Sequence, residues 1–174
     1  MLLIRGGRVI DPVREVDEIM DVMIEGSQIV ETGKALKVPA DAEVIDATGL
    51  VVAPGLMDAH VHFRDPGLTY KEDIETGAAA AARGGFTTVV CMANTKPVVD
   101  NLETLSYVQE KGEQTPIHVL QAAAITKGLQ GKELVDMEAL ADAGAAGFTD
   151  DGIPLMDEKL LVQVMEQAKA LGLP

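Results

Sequence analysis

Residues 50–67 read LVVAPGLMDAHVHFRDPG, and this stretch decides the predicted fold. The apolar run at 50–57 is typical of the start of a buried strand. Because side chains alternate along a strand, four polar residues are predicted on one face and the apolar residues between them on the other. The four are Asp58, His60, His62 and Arg64. An H-x-H pair alone is also compatible with two half-exposed histidines that bind nothing. Flanked by an acid and by Arg-Asp-Pro-Gly, the pair instead predicts a zinc site, because two imidazoles so spaced can bind one Zn²⁺.

The extended motif D-x-H-x-H-x-R-D-P-G resembles the metal-binding signature of dihydroorotases, members of the amidohydrolase superfamily that also contains hydantoinases and allantoinases. The resemblance continues through residues 84–88, 94–97 and 147–152. It implies a metal-dependent (β/α)8 barrel preceded by a small β-sandwich. It also implies that the 174 residues are the N-terminal portion, and less than half, of such an enzyme.

Composition limits the classes of partner. The net charge of −14 argues against binding to nucleic acid or to an anionic membrane. No apolar run approaches the roughly 20 residues of a membrane-spanning helix, and the N-terminal apolar segment is too short for a signal peptide. The single cysteine, Cys91, excludes an internal disulfide and is expected to fill the core. A cytoplasmic protein is therefore expected.

The sequence predicts two regions of different organisation. Residues 1–53 predict short strands, with turns at Gly6-Gly7, Asp11-Pro12 and Glu25-Gly26-Ser27, and are interpreted as a small β-sandwich portion without chemistry of its own. Residues 54–174 alternate strands with helices, the first helix opening at a capping box predicted at residues 69–72.

Four such strand–helix units are half of a (β/α)8 barrel, and an open doubly wound sheet is the alternative. We favour the truncated barrel because the candidate ligands follow strands one, two and four, whose C-terminal ends would line one mouth. His118 begins strand three at the opposite end and is interpreted as structural or exposed.

Two consecutive acids, Asp150 and Asp151, follow the predicted fourth strand. A carboxylate there could join His60 and His62 on one metal ion or bridge two. The resemblance implies that Asp151 is the ligand, and Asp150 is the alternative. Hydantoinase-like relatives use a carboxylated lysine at this stage of the barrel, and residues 134–158 contain no lysine, which favours the dihydroorotase branch.

The resemblance also implies a substrate-binding pair, Arg64 and Asn94. Dihydroorotate and carbamoyl aspartate both carry a carboxylate, which a guanidinium can bind through two hydrogen bonds. Asn94 could add a further donor, although an asparagine in a loop can also simply bond its own backbone. Ala93 stands where the family commonly has proline, and this difference is expected to loosen the loop. Asp65 and Lys96 receive no assigned role.

The implied activity is the zinc-dependent, reversible cyclisation of N-carbamoyl-L-aspartate to L-dihydroorotate in pyrimidine biosynthesis. The chain contains no candidate for the proton-transfer residue, so it is expected to be inactive alone, and its open strand edges should prevent a well-formed monomer. One alternative is a non-catalytic dihydroorotase-like subunit that assembles with itself or with aspartate transcarbamoylase. Retention of His60, His62 and Asp151 favours the enzyme. A hydantoinase- or allantoinase-type cyclic amidohydrolase is the other alternative.

Overall fold

In the computed structural model, which describes Met1–Pro174, the chain divides after Pro54 into two units. The first unit is a five-stranded sheet, the β-sandwich portion of the fold. Its strands are β1 (Leu2–Asp11), β2 (Val16–Glu25), β3 (Gln28–Gly33), β4 (Glu43–Asp46) and β5 (Val51–Val52). They are ordered β3-β2-β1-β4, and β5 also pairs with β1. The pairs β1–β2 and β2–β3 are antiparallel, whereas β4 and β5 run parallel to β1.

The predicted turn at Gly6-Gly7 is wrong, because both glycines lie inside the continuous strand β1. The register with β2 shifts between Ile4 and Gly7, and Gly6 has φ +68°. Its N–H donates to the buried carboxylate of Asp21 at 2.8 Å. The glycines therefore form a bulge, a structure whose local sequence signal is the same as that of a turn.

The second unit, Gly55–Pro174, contains a parallel sheet ordered β6-β7-β8 and four α-helices. The strands are β6 (Leu56–Val61), β7 (Phe86–Cys91) and β8 (His118–Gln121). The helices are α1 (Ile74–Arg83), α2 (Leu102–Gly112), α3 (Met137–Asp142) and α4 (Glu158–Leu171), and a short 3-10 helix spans Lys127–Leu129. None of these helices is long and apolar enough to cross a membrane.

The predicted fourth strand is reduced to one parallel bridge between Ala123 and Phe148. The backbone of Ala123 nevertheless bonds to Gly147 and to Thr149, both at 2.9 Å, so the segment continues the sheet beside β8. Phe148 in turn donates to the carbonyl of Pro174 at 3.0 Å. Each parallel segment is thus added on the same side as the one before it, which is the order of a barrel wall. In a doubly wound sheet the order reverses, and later strands are added on the other side of the first strand. The barrel prediction is therefore confirmed.

The predicted capping box at residues 69–72 is wrong. Residues 69–71 form turns, in which Lys71 donates its N–H to Leu68, and the helix α1 begins later. Its capping box consists of Asp73 and Thr76, and the Asp73 carboxylate accepts the Thr76 N–H at 2.8 Å. The other helices begin with side-chain caps from Asn101, Asp136 and Asp157.

Apolar side chains from the strands and helices form one core in this unit, including Ile74, Val89, Leu105, Val108 and Leu140. Cys91 belongs to this core, and burial raises the pKa of its thiol to about 12. The thiol therefore stays protonated at neutral pH and fills space, as predicted from sequence.

Candidate metal centre

Three chain segments bring polar side chains to the C-terminal edge of the parallel sheet. His60 lies near the end of β6 and His62 directly follows that strand. Asn94 follows β7, and Asp151 follows the bridge at Phe148. Because parallel strands end at the same edge, residues far apart in sequence meet there.

His60, His62 and Asp151 each direct one potential ligand atom into a small cluster, and these atoms lie within 4.8 Å of one another. Oδ1 of Asp151 is 3.0 Å from Nε2 of His60 and 3.8 Å from Nε2 of His62. The two imidazole rings are 5.1 Å apart and steeply inclined. The His60 side chain is 60% exposed, compared with 18% for Asp151, so the cluster is open to solvent on the His60 side.

The strand that carries the histidines is less regular than predicted. Asp58 accepts the backbone N–H of His60 through its side chain, and the register with β7 shifts between Asp58 and Val61. Arg64 lies beyond the strand with φ +58°, in the left-handed region. The predicted alternation from Asp58 to Arg64 therefore fails at its end, because a bulge and a turn replace extended backbone. Arg64 is partly exposed in the loop immediately after His62.

Asp150 and Asp151 point to different environments. Asp150 is 4% exposed, and its carboxylate accepts the N–H groups of Ile125 and Thr126 at 2.8 and 3.0 Å. The Thr126 hydroxyl donates to its second oxygen. Asp151 has φ +52°, a backbone conformation that Asp tolerates, and this turns its carboxylate towards the histidines. Only Asp151 is therefore placed to act with the histidines, whereas Asp150 holds the neighbouring loop.

Asn94 lies between two members of the cluster. Its Oδ1 is 2.9 Å from Nδ1 of His62, and its Nδ2 donates to Oδ2 of Asp151 at 2.7 Å. Sequence reasoning placed Asn94 near a substrate and missed these contacts. Ala93 is fully buried, and its carbonyl accepts the N–H groups of Thr95 and Val99, so the loop is well fixed without a proline.

The buried Asp65 next to Arg64 is a further feature that sequence reasoning missed. Tyr107 and Lys111 of α2 donate to its two carboxylate oxygens at 2.9 and 2.8 Å. The hydrogen bond with Asp65 raises the pKa of Lys111, and Tyr107 adds to the effect. The spacing of Tyr107 and Lys111 places them on one helix face, but it does not reveal a partner more than 40 residues upstream. These contacts tie the loop that contains Arg64 to α2.

The donor set fits a divalent zinc-like ion. Two imidazole nitrogens and one carboxylate oxygen are ligands that zinc accepts, and their spacing allows them to approach one ion. The contact between Asn94 and His62 adds the outer hydrogen bond that metal-ligating histidines usually make. His118 is exposed at the start of β8, away from the C-terminal edge.

A family model of dihydro-orotase-like proteins matches residues 49–173. The chain belongs to the dihydro-orotase-like family. Relatives of this family member include a dihydroorotase from Clostridioides difficile, 61% identical over 174 residues, which cover 100% of this chain and 41% of that protein. A dihydroorotase from Clostridium acetobutylicum is 54% identical with the same coverage. The resemblance to dihydroorotases is confirmed, and the chain spans about two fifths of these relatives.

A solved structure with the same fold as this dihydro-orotase-like chain is the L-hydantoinase of Arthrobacter aurescens. The TM-score is 0.82 at 22% sequence identity, over 99% of this chain and 39% of the hydantoinase. At this identity the likeness concerns the fold, and it supports the barrel architecture.

Proposed function

We propose that this chain supplies the first metal ligands and the substrate arginine of a dihydroorotase, which interconverts N-carbamoyl-L-aspartate and L-dihydroorotate in pyrimidine biosynthesis. The observation that carries the proposal is the convergence of His60, His62 and Asp151 at the C-terminal edge of the strands, in a chain 61% identical to a dihydroorotase. Such an edge is the usual position of an active site in a barrel.

His60, His62 and Asp151 would hold Zn²⁺, as one ion or as part of a pair. Bound there, zinc would polarise the amide carbonyl of the substrate and lower the pKa of a coordinated water. The exposure of His60 leaves one side of the cluster accessible to a small molecule. Further ligands and the group that transfers the proton to or from the ring nitrogen are expected from outside these 174 residues.

Arg64 is proposed to bind the substrate carboxylate through its guanidinium. Its loop is held by the pair of Asp65 with Lys111, so the backbone that presents it is fixed before substrate arrives. Asn94 is proposed to assist, because its amide nitrogen has two hydrogens and only one is used by Asp151. Together they would favour an anionic substrate over an uncharged hydantoin.

A cytoplasmic location is proposed for the enzyme, because the single cysteine, Cys91, is buried and forms no disulfide. We also propose that the dihydroorotase assembles with further copies of itself or with aspartate transcarbamoylase. This proposal depends on the dihydroorotase assignment. In the non-catalytic alternative, the same chain would bind such a partner without turnover.

The proposal can be tested with a chimaera, in which this chain replaces the aligned part of the Clostridioides difficile relative. We expect the chimaera with Zn²⁺ to hydrolyse dihydroorotate, and the 174-residue chain alone to be inactive. In the chimaera, Arg64→Ala should lower kcat/KM by about 30- to 150-fold, the cost of about 2–3 kcal/mol for a lost charge-assisted contact. Zinc content should not change.

Arg83→Ala is a matched control, because Arg83 is an exposed arginine in the last turn of α1 and outside the cluster. An inactive chimaera that folds and binds zinc would support the non-catalytic alternative. A chimaera that prefers uncharged hydantoins would refute the dihydroorotase assignment. Normal turnover with Arg64→Ala would remove Arg64 from the proposed substrate site.

A further inference from the structure

The amide of Asn94 has contacts that determine its own orientation. One end faces an Asp151 carboxylate oxygen at 2.7 Å and the other faces Nδ1 of His62 at 2.9 Å. A carboxylate oxygen accepts and cannot donate, so the NH₂ group must face Asp151. In the reverse orientation, the carbonyl oxygen of Asn94 would face the carboxylate oxygen of Asp151, and neither atom could donate a hydrogen. The carbonyl oxygen of Asn94 is therefore left to face His62.

This orientation fixes the tautomer of His62. Because the Asn94 carbonyl oxygen only accepts, Nδ1 of His62 must carry the hydrogen and donate it. In the neutral ring Nε2 then has the free lone pair, and Nε2 is the atom that points towards Asp151. The same amide occupies Oδ2 of Asp151 and leaves Oδ1 beside both histidines.

We propose that Asn94 is a positioning residue that presents Nε2 of His62 and Oδ1 of Asp151 to one metal ion. This inference rests on the proposed function, in which His60, His62 and Asp151 hold zinc. It adds a role to the substrate contact proposed for Asn94, and the two roles are compatible because the second amide hydrogen remains free. Outer hydrogen bonds of this kind typically change metal affinity by 10- to 100-fold.

The backbone around Asn94 is rigid enough for this task. The hydroxyl of the buried Thr95 donates to the carbonyl of Pro97 at 2.7 Å. Lys96 donates its N–H to Pro66 at 3.0 Å, which joins this loop to the one after His62. The backbone on the C-terminal side of Asn94 is therefore fixed. The amide of Asn94 already contacts His62 and Asp151 before a metal binds.

The test uses the chimaera proposed above, labelled with ¹⁵N, in which the His62 ring signals are identified as those lost in His62→Gln. Long-range ¹H–¹⁵N spectra at about pH 8, where a free imidazole is neutral, report which ring nitrogen carries the hydrogen. We expect the Nδ1–H form of His62 to dominate. Asn94→Leu should shift His62 towards the Nε2–H form and weaken Zn²⁺ binding, measured against a competing chelator, by about 10- to 100-fold.

Two further variants separate positioning from general damage. Asn94→Ala removes the same two contacts with a smaller apolar side chain than leucine, so it should also shift His62 towards the Nε2–H form. Asn101→Ala removes the other asparagine, the cap of α2, and should lower stability while leaving the His62 tautomer and zinc affinity unchanged.

An unchanged His62 tautomer in Asn94→Leu would overturn the inference, as would a shifted tautomer with unchanged zinc affinity. If Asn94→Leu does not fold, retention of the Nδ1–H form in Asn94→Ala would overturn it instead. Failure of the unmutated chimaera to bind Zn²⁺ would refute the metal site in the proposed function, whereas the tautomer comparison would still decide whether Asn94 orients His62.

Discussion

Asp150 and Asp151 are neighbours of the same residue type, and the structure predicts opposite consequences for replacing them by asparagine. Asp150 is buried and accepts three hydrogen bonds, two from backbone N–H groups and one from the Thr126 hydroxyl. In Asp150→Asn, none of the three hydrogen bonds has a charged acceptor. The Thr126 hydroxyl also loses its acceptor, because an NH₂ group replaces the second carboxylate oxygen. Hydrogen bonds to charged groups contribute about 1.5–3 kcal/mol each. Because the asparagine can keep some of these bonds in a weaker form, we expect the free energy of unfolding to fall by about 2 kcal/mol. For a chain of this size, the Tm should fall by about 4–8 °C.

Asp151→Asn should behave differently. The side chain keeps its shape, and asparagine also tolerates the left-handed backbone at φ +52°. We therefore expect a stability change below about 0.5 kcal/mol. Zinc affinity should fall by at least about 100-fold, because an anionic ligand is lost rather than an outer hydrogen bond.

The assay combines thermal unfolding, followed by circular dichroism without metal, with a zinc titration of each folded variant. The two variants serve as controls for each other, since the substitution is the same at adjacent positions. The division of roles would be refuted if Asp150→Asn lost zinc binding but not stability, and Asp151→Asn lost stability but not zinc binding. It would make Asp150 the ligand.

Three further predictions concern the surroundings of the site. Lys111→Met should destabilise the chain by about 1–2 kcal/mol, because the buried Asp65 loses its cation but Lys111 is itself 43% exposed. The pKa of Lys111 is raised in the folded chain, so its contribution to the free energy of unfolding should be complete at neutral pH. Urea melts should show this contribution disappear as pH rises through the raised pKa. Gly67→Ala should cost more than about 3 kcal/mol in the same melts, since Gly67 has φ +89° and a Cβ there would overlap the Lys96 carbonyl; a normal melt would contradict this. Cys91, with its pKa raised to about 12, should react with iodoacetamide at pH 8 only after denaturation, and rapid labelling of the native chain would contradict its burial.

Much of the second unit follows from local chemistry and could be predicted. The caps at Asn101, Asp136 and Asp157 are local features, because a cap bonds to N–H groups only two or three residues away. The glycine that ends α4, Gly172, adopts the left-handed conformation for which glycine is favoured. The alternation of strands and helices follows from hydrophobic periodicity, and with the motif it was sufficient to predict half of a barrel.

The errors arise where interactions with residues outside a short motif override its local signal. Gly6-Gly7 carries the signal of a turn, but Asp21 from the neighbouring strand makes it a bulge. Thr69 and Glu72 carry the signal of a capping box, but the turns after Arg64 delay the helix to Asp73. In each case the competing interaction involves residues outside the short window in which the motif is visible.

By itself, the sequence determined the identity of the candidate ligands, since H-x-H and the paired acids are visible in the chain, and it determined the edge of the sheet at which they lie. The residues alone left Asp150 and Asp151 open and only the family resemblance favoured Asp151, which the structure places beside the histidines. Tertiary structure alone decided that Asn94 connects His62 to Asp151 and that Asp65 pairs with α2. The physical reason is that these contacts depend on distances and side-chain directions between segments tens of residues apart. Such directions are set by bulges, positive-φ turns and packing of the complete unit, and no spacing within one segment encodes them.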